Sequence, residues 1–275
     1  MSSINILNVK IDPVRANDVE SLLCEIANQS TPGLICTPNT EFIMLAQKNK
    51  VFCEILNNSS LNLPDGIGVL WAAKFNTFNE ISTPVLRQIL ILLEWLFSII
   101  IIPIFPHFFH TPIPERLSGS DFIWQVAEFA SKNKYRVFLL GGGATIAERT
   151  ALALQTKIPE LRIAGVHSGG IEDTREIIES INKTKSDIVL VAFGAPKQEK
   201  WLSENLIKTR CKFGVGLGGT FDFIAGTRKR APMWMRKSGL EWLHRLIHEP
   251  LRIKRQMALP RFMFAILKSK LKSDV

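Results

Sequence analysis

YRVFLLGGGATIAERTALALQT, residues 135–156, reads as three pieces. YRVFLLG is a continuous apolar run of strand length, suited to a strand covered on both faces. Three glycines follow, and ATIAERTALALQT then takes helical spacing. Strand, glycine turn and helix form the unit from which parallel sheets are wound. The same alternation extends in both directions. Upstream, INILNVKI (4–11) reads as a first strand, ANDVESLLCEIANQ as a helix, GLICT (33–37) as a strand and NTEFIMLAQKN as a helix. SLNL then leads through a Pro-Asp-Gly turn into the helix GVLWAAKF, and GSDFIWQVAEFASKN (119–133) is a further helix. Downstream come LRIAGV (strand), DTREIIESINKT (helix), DIVLVAFG (strand), PKQEKWLSENLIK (helix) and KFGVGLG (strand). The expected fold is α/β: a mostly parallel, Rossmann-like sheet with helices on both faces. Ligands of such sheets bind at the carboxyl ends of the strands. Asp65, Gly141–Gly143, Gly194 and Gly216–Gly219 are all expected at such ends. No internal repeat and no low-complexity linker interrupts the pattern.

The chain has 275 residues, enough for a sizeable core, and its formal charge of +9 is unevenly placed. Residues 226–275 hold 13 Lys and Arg against 3 acids, so the remainder is close to neutral. A basic tail seeks anionic partners. The expected division is a catalytic body, 1–238, and a basic amphipathic membrane-associated appendage, 239–275. No nucleic-acid recognition module is visible, so nucleic acid is not an expected partner. The four cysteines show no CxxC spacing and the five histidines no paired-ligand spacing, so neither disulfides nor a protein-held metal is expected. The N-terminus lacks the basic and apolar regions of a signal peptide.

Two segments depart from the alternation. ILILLEWLFSIIIIPIFP (89–106) lies in an apolar insertion of about residues 86–112 and carries one charge, Glu94. A full crossing of a bilayer would put Asp65 and the later glycine loops on opposite sides, which one sheet cannot survive. Interfacial insertion, then a buried or oligomer-facing element, and last a true span are the readings, in that order. In the tail, RFMFAILKSKLK sets Phe262, Met263, Ile266, Leu267 and Leu271 among Arg261, Lys268, Lys270 and Lys272, as helices lying on anionic membranes do. A helix packed on its own domain gives the same pattern.

Three stretches have the composition of a ligand site. LLGGGATIAERTAL opens a helix with free backbone N–H groups, which suits phosphate. It fails the dinucleotide fingerprint, because Ile146 stands where the third glycine belongs and LRIAGV is followed by His167 rather than an acid. No nicotinamide or flavin cofactor is expected. In VAFGAPKQEKW a strand ends at Gly194, and Gln198, Glu199 and Trp201 stand on the first helical turn. They suit gripping a sugar or a base; a packed helix start suits them equally. GVGLGGTFDFIAGTRKRAPMW pairs glycines with Arg228, Lys229 and Arg230, a combination suited to a diphosphate whose charge rises on leaving.

Together, TPNTEF (37–42), LPDGIGVLWAAK (63–74), ERLSGSDF (115–122), FLLGGG (138–143), VAFGAPKQEKW (191–201), GVGLGGTFDFIAGTRKRAPMWM (214–235) and GLEWLHRLIHEPLR (239–252) resemble the WecG/TagA/CpsF family of bacterial glycosyltransferases, in family order. The resemblance implies transfer of an N-acetylmannosamine-type sugar from a UDP-sugar to a polyprenyl-diphosphate-linked N-acetylglucosamine. Inversion at the donor carbon, no required metal, and a product destined for teichoic acid, common antigen or capsule are implied with it. It further implies work at the cytoplasmic face of the cell membrane and leaves a homo-oligomer open. By residue, Asp65 matches the family's general base. Thr37 and Asn39 match its pocket-lining TPN element, and Gln198 a ligand of the donor sugar or its phosphates. Gly142, Gly143, Phe221 and Asp222 would line the UDP site, and Arg230 would counter diphosphate charge. Arg252 and Arg255 would reach in from the appendage. The apolar insertion departs from the family's shorter link. A soluble nucleotide-sugar epimerase or dehydrogenase is the competing class, and a required nicotinamide would distinguish it.

Overall fold

The computed structural model describes residues 2–78 and 83–272. Six strands form an all-parallel sheet: β3 (Gly33–Cys36), β4 (Leu61–Asn62), β5 (Arg136–Gly141), β6 (Arg162–His167), β7 (Ile188–Ala192) and β8 (Phe213–Gly216). INILNVKI differs from its expectation. It is not a strand of the sheet but a separate antiparallel hairpin, β1 (Ile4–Ile6) and β2 (Val9–Ile11). Leu7 and Asn8 both adopt positive φ, 47° and 63°, and so reverse the chain after three residues, as primed hairpin turns do.

Strand order across the sheet is β4-β3-β8-β7-β5-β6. The chain builds β3 and β4 in one direction, crosses to lay β5 and β6 in the other, then returns to fill the centre with β7 and β8. Such a reversal leaves a crevice over the carboxyl ends of the central strands.

Side chains alternate across the sheet with period two. Val137, Leu139, Ile188, Leu190, Phe213 and Val215 enter one core, with Phe122, Val126, Leu154 and Phe221 from the helices Gly119–Lys132, Ile146–Lys157 and Thr220–Ile224. Phe138, Leu140, Val189 and Val191 enter the opposite core, against Ile177, Ile181, Trp201 and Leu202 of the helices Thr174–Lys183 and Lys197–Asn205. Both faces are covered, and the strands' uniform apolarity follows. The four cysteines are unpaired; Cys36 and Cys211 are buried, and burial pushes both thiols up, Cys211 to about 11.

A third apolar cluster joins the hairpin to the helices Thr40–Ala46, Lys50–Asn57 and Ile67–Asn76, the apolar insertion and the C-terminal helix Ala258–Lys272. Phe262, Ile266 and Leu267, the apolar stripe of that last helix, are buried in it. Lys270 is buried too, its Nζ donating to the carbonyls of Phe75 and Phe78 at 2.8 and 3.0 Å. The stripe therefore faces the body. Arg261, Phe264, Lys268 and Lys272, spaced along the other side, are exposed. Among the described residues no helix is long and apolar enough to cross a membrane. The insertion is one helix, Pro84–Ile101, followed by a short 3-10 turn at Pro106–Phe109.

Because Phe262 is fully buried among Trp71 and its neighbours, Phe262→Ala is expected to cost ~3–5 kcal/mol, the range for truncating a buried aromatic. Equilibrium denaturation against wild type measures it; a loss under ~1 kcal/mol would show that the last helix is not part of the core.

Candidate active site

All six carboxyl-end turns of the sheet meet in one cavity of about 1230 Å³. Thr37 and Asn39 come from the turn after β3, Asp65 and Gly66 from that after β4, and Gly142 and Gly143 from that after β5. Gly169 and Gly170 follow β6, Gly194 follows β7, and Gly218 and Gly219 follow β8.

The turn carrying Asp65 is fixed by backbone bonds. Leu63 N–H donates to the Cys36 carbonyl at 2.9 Å and Asp65 N–H to the Pro38 carbonyl at 3.0 Å, locking this turn to TPN. Leu117 N–H donates to the Pro64 carbonyl at 2.9 Å. Gly66 then turns into the helix with φ of 98°, a conformation that costs any residue with a Cβ. Burial pushes the Asp65 carboxyl up to about 6, and the Glu241 charge adds to the rise; Arg245, Arg116 and Arg230 oppose it. Asn39 has a local task as well: its Oδ1 accepts from the N–H groups of Glu41 and Phe42, capping the helix Thr40–Ala46. Its amide nitrogen is what it can offer a ligand.

Gln198 and Glu199 point inward from their helical turn. Gln198 Oε1 accepts from Gly194 N–H at 3.0 Å and Gly218 N–H at 2.8 Å, so one carboxamide ties the turn after β7 to the turn after β8. Its Nε2 donates to Glu199 Oε1 at 2.6 Å, which fixes the orientation of the amide. A Cβ on Gly216 would lie 2.8 Å from both Gln198 Nε2 and Glu199 Oε1; only glycine lets the pair fit. Glu199 is fully buried and its Oε2 has no partner; burial raises its carboxyl to about 7, with the bonds from Gln198 and its own N–H offsetting part of the rise. Trp201 is core, its Nε1 donating to Thr174 Oγ1 at 3.2 Å.

Of the residues singled out from the sequence, Thr37, Asn39, Asp65, Gly142, Gly143, Gly194, Gln198, Asp222, Arg252 and Arg255 line the cavity. Glu199, Phe221 and Arg230 do not. Phe221 faces the sheet from its helix, and Phe223 lines the wall instead. Arg230 is committed to Asp121, with Nη1–Oδ1 at 2.7 Å and Nη2–Oδ2 at 2.6 Å, and Nη2 also donates to Ser118 Oγ. Burial raises the Asp121 carboxyl, but the bonds from Arg230 and Ser118 outweigh it and hold it below its usual value. Arg230 therefore braces the start of the helix Gly119–Lys132 and acts on Asp65 through its field alone.

The cavity's other cations went unnoticed in the sequence: Arg116, Lys197 and Arg245, with Arg228 present only as one of a cluster. Arg116 stands in ERLSGSDF and Arg245 in GLEWLHRL, where a single arginine in a mixed segment gives no spacing signal. Arg245 Nε and Arg252 Nε are buried donors without partners, suited to an anion. Residues 239–257 form the cavity's cover. The helix Glu241–His248 within it has no buried residue. Ion pairs hold the cover down: Glu241 to Arg116 at 3.9 Å, Glu249 to Arg228 at 3.3 Å and Arg255 to Glu41 at 2.8 Å.

The model of the glycosyl transferase WecG/TagA/CpsF family matches residues 4–86 and 99–275. The chain belongs to that family. Among similar proteins, an N-acetylglucosaminyldiphosphoundecaprenol N-acetyl-beta-D-mannosaminyltransferase of Bacillus subtilis (strain 168) is 29% identical over 241 residues, covering 88% of this chain and 81% of that one. A protein of the same description from Staphylococcus aureus (strain MRSA252) is 29% identical over 274 residues, 98% and 94% of the two chains. The cavity is thus the candidate active site of a glycosyltransferase.

In this glycosyltransferase Gln198→Ala frees the N–H groups of Gly194 and Gly218 together and unties two walls of the site. The expected cost is about 2 kcal/mol or more in stability. Thermal denaturation against wild type checks it; an unchanged melting temperature would reduce Gln198 to a bystander.

Proposed function

We propose that this glycosyltransferase moves an N-acetylmannosamine-type sugar from a UDP-sugar to a polyprenyl-diphosphate-linked N-acetylglucosamine, with inversion, at the cytoplasmic face of the cell membrane. The observation that carries the reading is Asp65: a recessed carboxyl with a raised pKa, at a strand end, inside a cavity walled by glycine turns and arginines. The similarity to N-acetylmannosaminyltransferases supports the choice of sugar and acceptor.

The chemistry follows from the placement. Asp65 takes the proton of the acceptor hydroxyl as its oxygen attacks the donor's anomeric carbon from the face opposite the nucleotide. The bond from that carbon to the UDP oxygen breaks, and its electron pair leaves on the β-phosphate. Charge then grows on the diphosphate, and Arg245, Arg252, Arg228 and Arg116 line the same cavity and can counter it. Turnover in EDTA is expected on this account. The basic tail and the apolar insertion give the protein its membrane contact.

Asp65 must be ionised to act, so kcat/KM should fall as pH drops through about 6. Asp65→Asn should lower acceptor-dependent UDP release by ~10²–10⁴-fold while UDP still binds. The same group has a cost to the fold. Its carboxyl sits above the unfolded value of 3.8, so its contribution to stability is full below that pH and lost as pH rises through about 6. At pH 8 the Asp65→Asn protein should therefore melt above wild type although it is inactive. UDP release from a panel of UDP-sugars, on both proteins across pH 5–9, tests the whole reading. Release that survives in Asp65→Asn removes Asp65 as the base, and release from a uronic acid donor alone replaces the sugar.

A further inference from the structure

The family model passes over residues 87–98, where this chain carries most of the helix Pro84–Ile101. The helix is a fixed arm. Trp71 Nε1 donates to Ser98 Oγ at 2.9 Å, Ser98 Oγ donates to the Trp95 carbonyl at 2.9 Å, and Trp95 Nε1 donates to the Met263 carbonyl at 3.0 Å. The Trp95 and Phe264 rings lie 5.1 Å apart. Ile91, Ser98 and Ile102 are buried, which fastens the inner side along its length.

The outer side is the reverse. Leu92, Leu93, Leu96, Phe97 and Ile100 are 44–66% exposed, and Ile104 and Phe105 continue the surface. So large an apolar face marks an interaction site. Between the arm and the C-terminal helix runs an apolar seam. Ile99, Ile102 and Pro103 form one side, Leu259, Pro260 and Met263 the other, and all six line the same cavity as Asp65. One end of this space is therefore arginine and carboxylate, and the other is hydrocarbon. A nucleotide and two sugars have no use for the second end. A protein partner would cover the outer face without needing a seam that opens onto Asp65. Exposed Arg261, Lys268 and Lys272 flank exposed Phe264 on the neighbouring helix, a charge pattern complementary to anionic headgroups.

We propose that the seam holds the first isoprene units of the lipid acceptor, and that the arm's outer face lies in the acyl layer beside it. The inference rests on the reading that the acceptor is a prenyl diphosphate sugar. On this account the insertion supplies one wall of a lipid subsite, and the acceptor reaches Asp65 without its tail crossing water.

Three measurements test it. The first compares N-acetylglucosamine diphosphate acceptors carrying farnesyl or propyl tails. Wild type should favour the farnesyl compound at least tenfold in kcat/KM, and Ile99→Ser combined with Met263→Ser should erase most of that preference; an equal preference in both proteins overturns the proposal. The second needs no turnover. A benzophenone-tailed geranyl diphosphate should photolabel wild type within residues 95–103 and 257–264, and labelling confined to other segments overturns the proposal. If wild type turns over neither acceptor, the reaction reading fails and the labelling still decides the seam. The third is flotation with phosphatidylglycerol–phosphatidylethanolamine vesicles. Leu93→Ser combined with Phe97→Ser should reduce vesicle binding at least tenfold while leaving turnover of the propyl acceptor within twofold. Unreduced binding, or a wild-type dimer that this variant splits with binding unchanged, makes the arm an oligomer contact and overturns its placement in the acyl layer.

Discussion

Six parallel strands, the central ones buried on both faces, constrain everything else in this molecule. Each inward side chain of β5 and β7 is spent on one core or the other, so no strand interior is available for chemistry. What remains is the row of turns at the carboxyl edge, where successive glycines expose backbone N–H groups and the chain reverses order. Those turns must also be held to one another, because a parallel sheet connects its strands only along their lengths. The Gln198 carboxamide does this between β7 and β8, and the Pro38 carbonyl does it between β3 and β4. The rigidity of the candidate site comes from this edge-to-edge bonding.

The sheet was legible because its strands are continuous apolar runs punctuated by glycine, a signal that survives without any tertiary information. INILNVKI carried the same composition and was misplaced, since the positive φ at Leu7 and Asn8 that turns it into a hairpin leaves no mark on hydropathy. Residues on the turns themselves, such as Asp65, Gly142 and Gly194, were legible for the same reason as the strands. Residues whose role depends on direction were not. Gln198, Glu199 and Trp201 occupy a helix start that reads equally as projecting or packed; here all three are buried, and of them only Gln198 lines the cavity. Phe221 and Phe223 differ by half a helical turn, so only one of them reaches the cavity. Arg230, expected at a diphosphate, is instead paired with Asp121, far from it in sequence, while Arg116, which the sequence did not single out, lines the cavity.

The C-terminal segment combines two designs. Its last helix is core, joined through Phe262 and Ile266 to the same cluster as the N-terminal hairpin. The stretch before it, 239–257, buries almost nothing and covers the cavity by pairing charges across the gap. A basic tail in a sequence is consistent with either arrangement, since both set arginine and lysine among apolar residues; burial alone separates them.

The cover's mode of attachment has a consequence for how it would respond to its surroundings. Its pairs between Glu241 and Arg116, Glu249 and Arg228, and Arg255 and Glu41 are partly exposed, so their strength follows the local ionic atmosphere rather than hydration of oil. A charged surface gathers counterions within a few ångströms and presents its own phosphates to any nearby guanidinium. The work of separating these pairs therefore depends on salt and on nearby charge, to both of which a layer sealed by leucines would be indifferent.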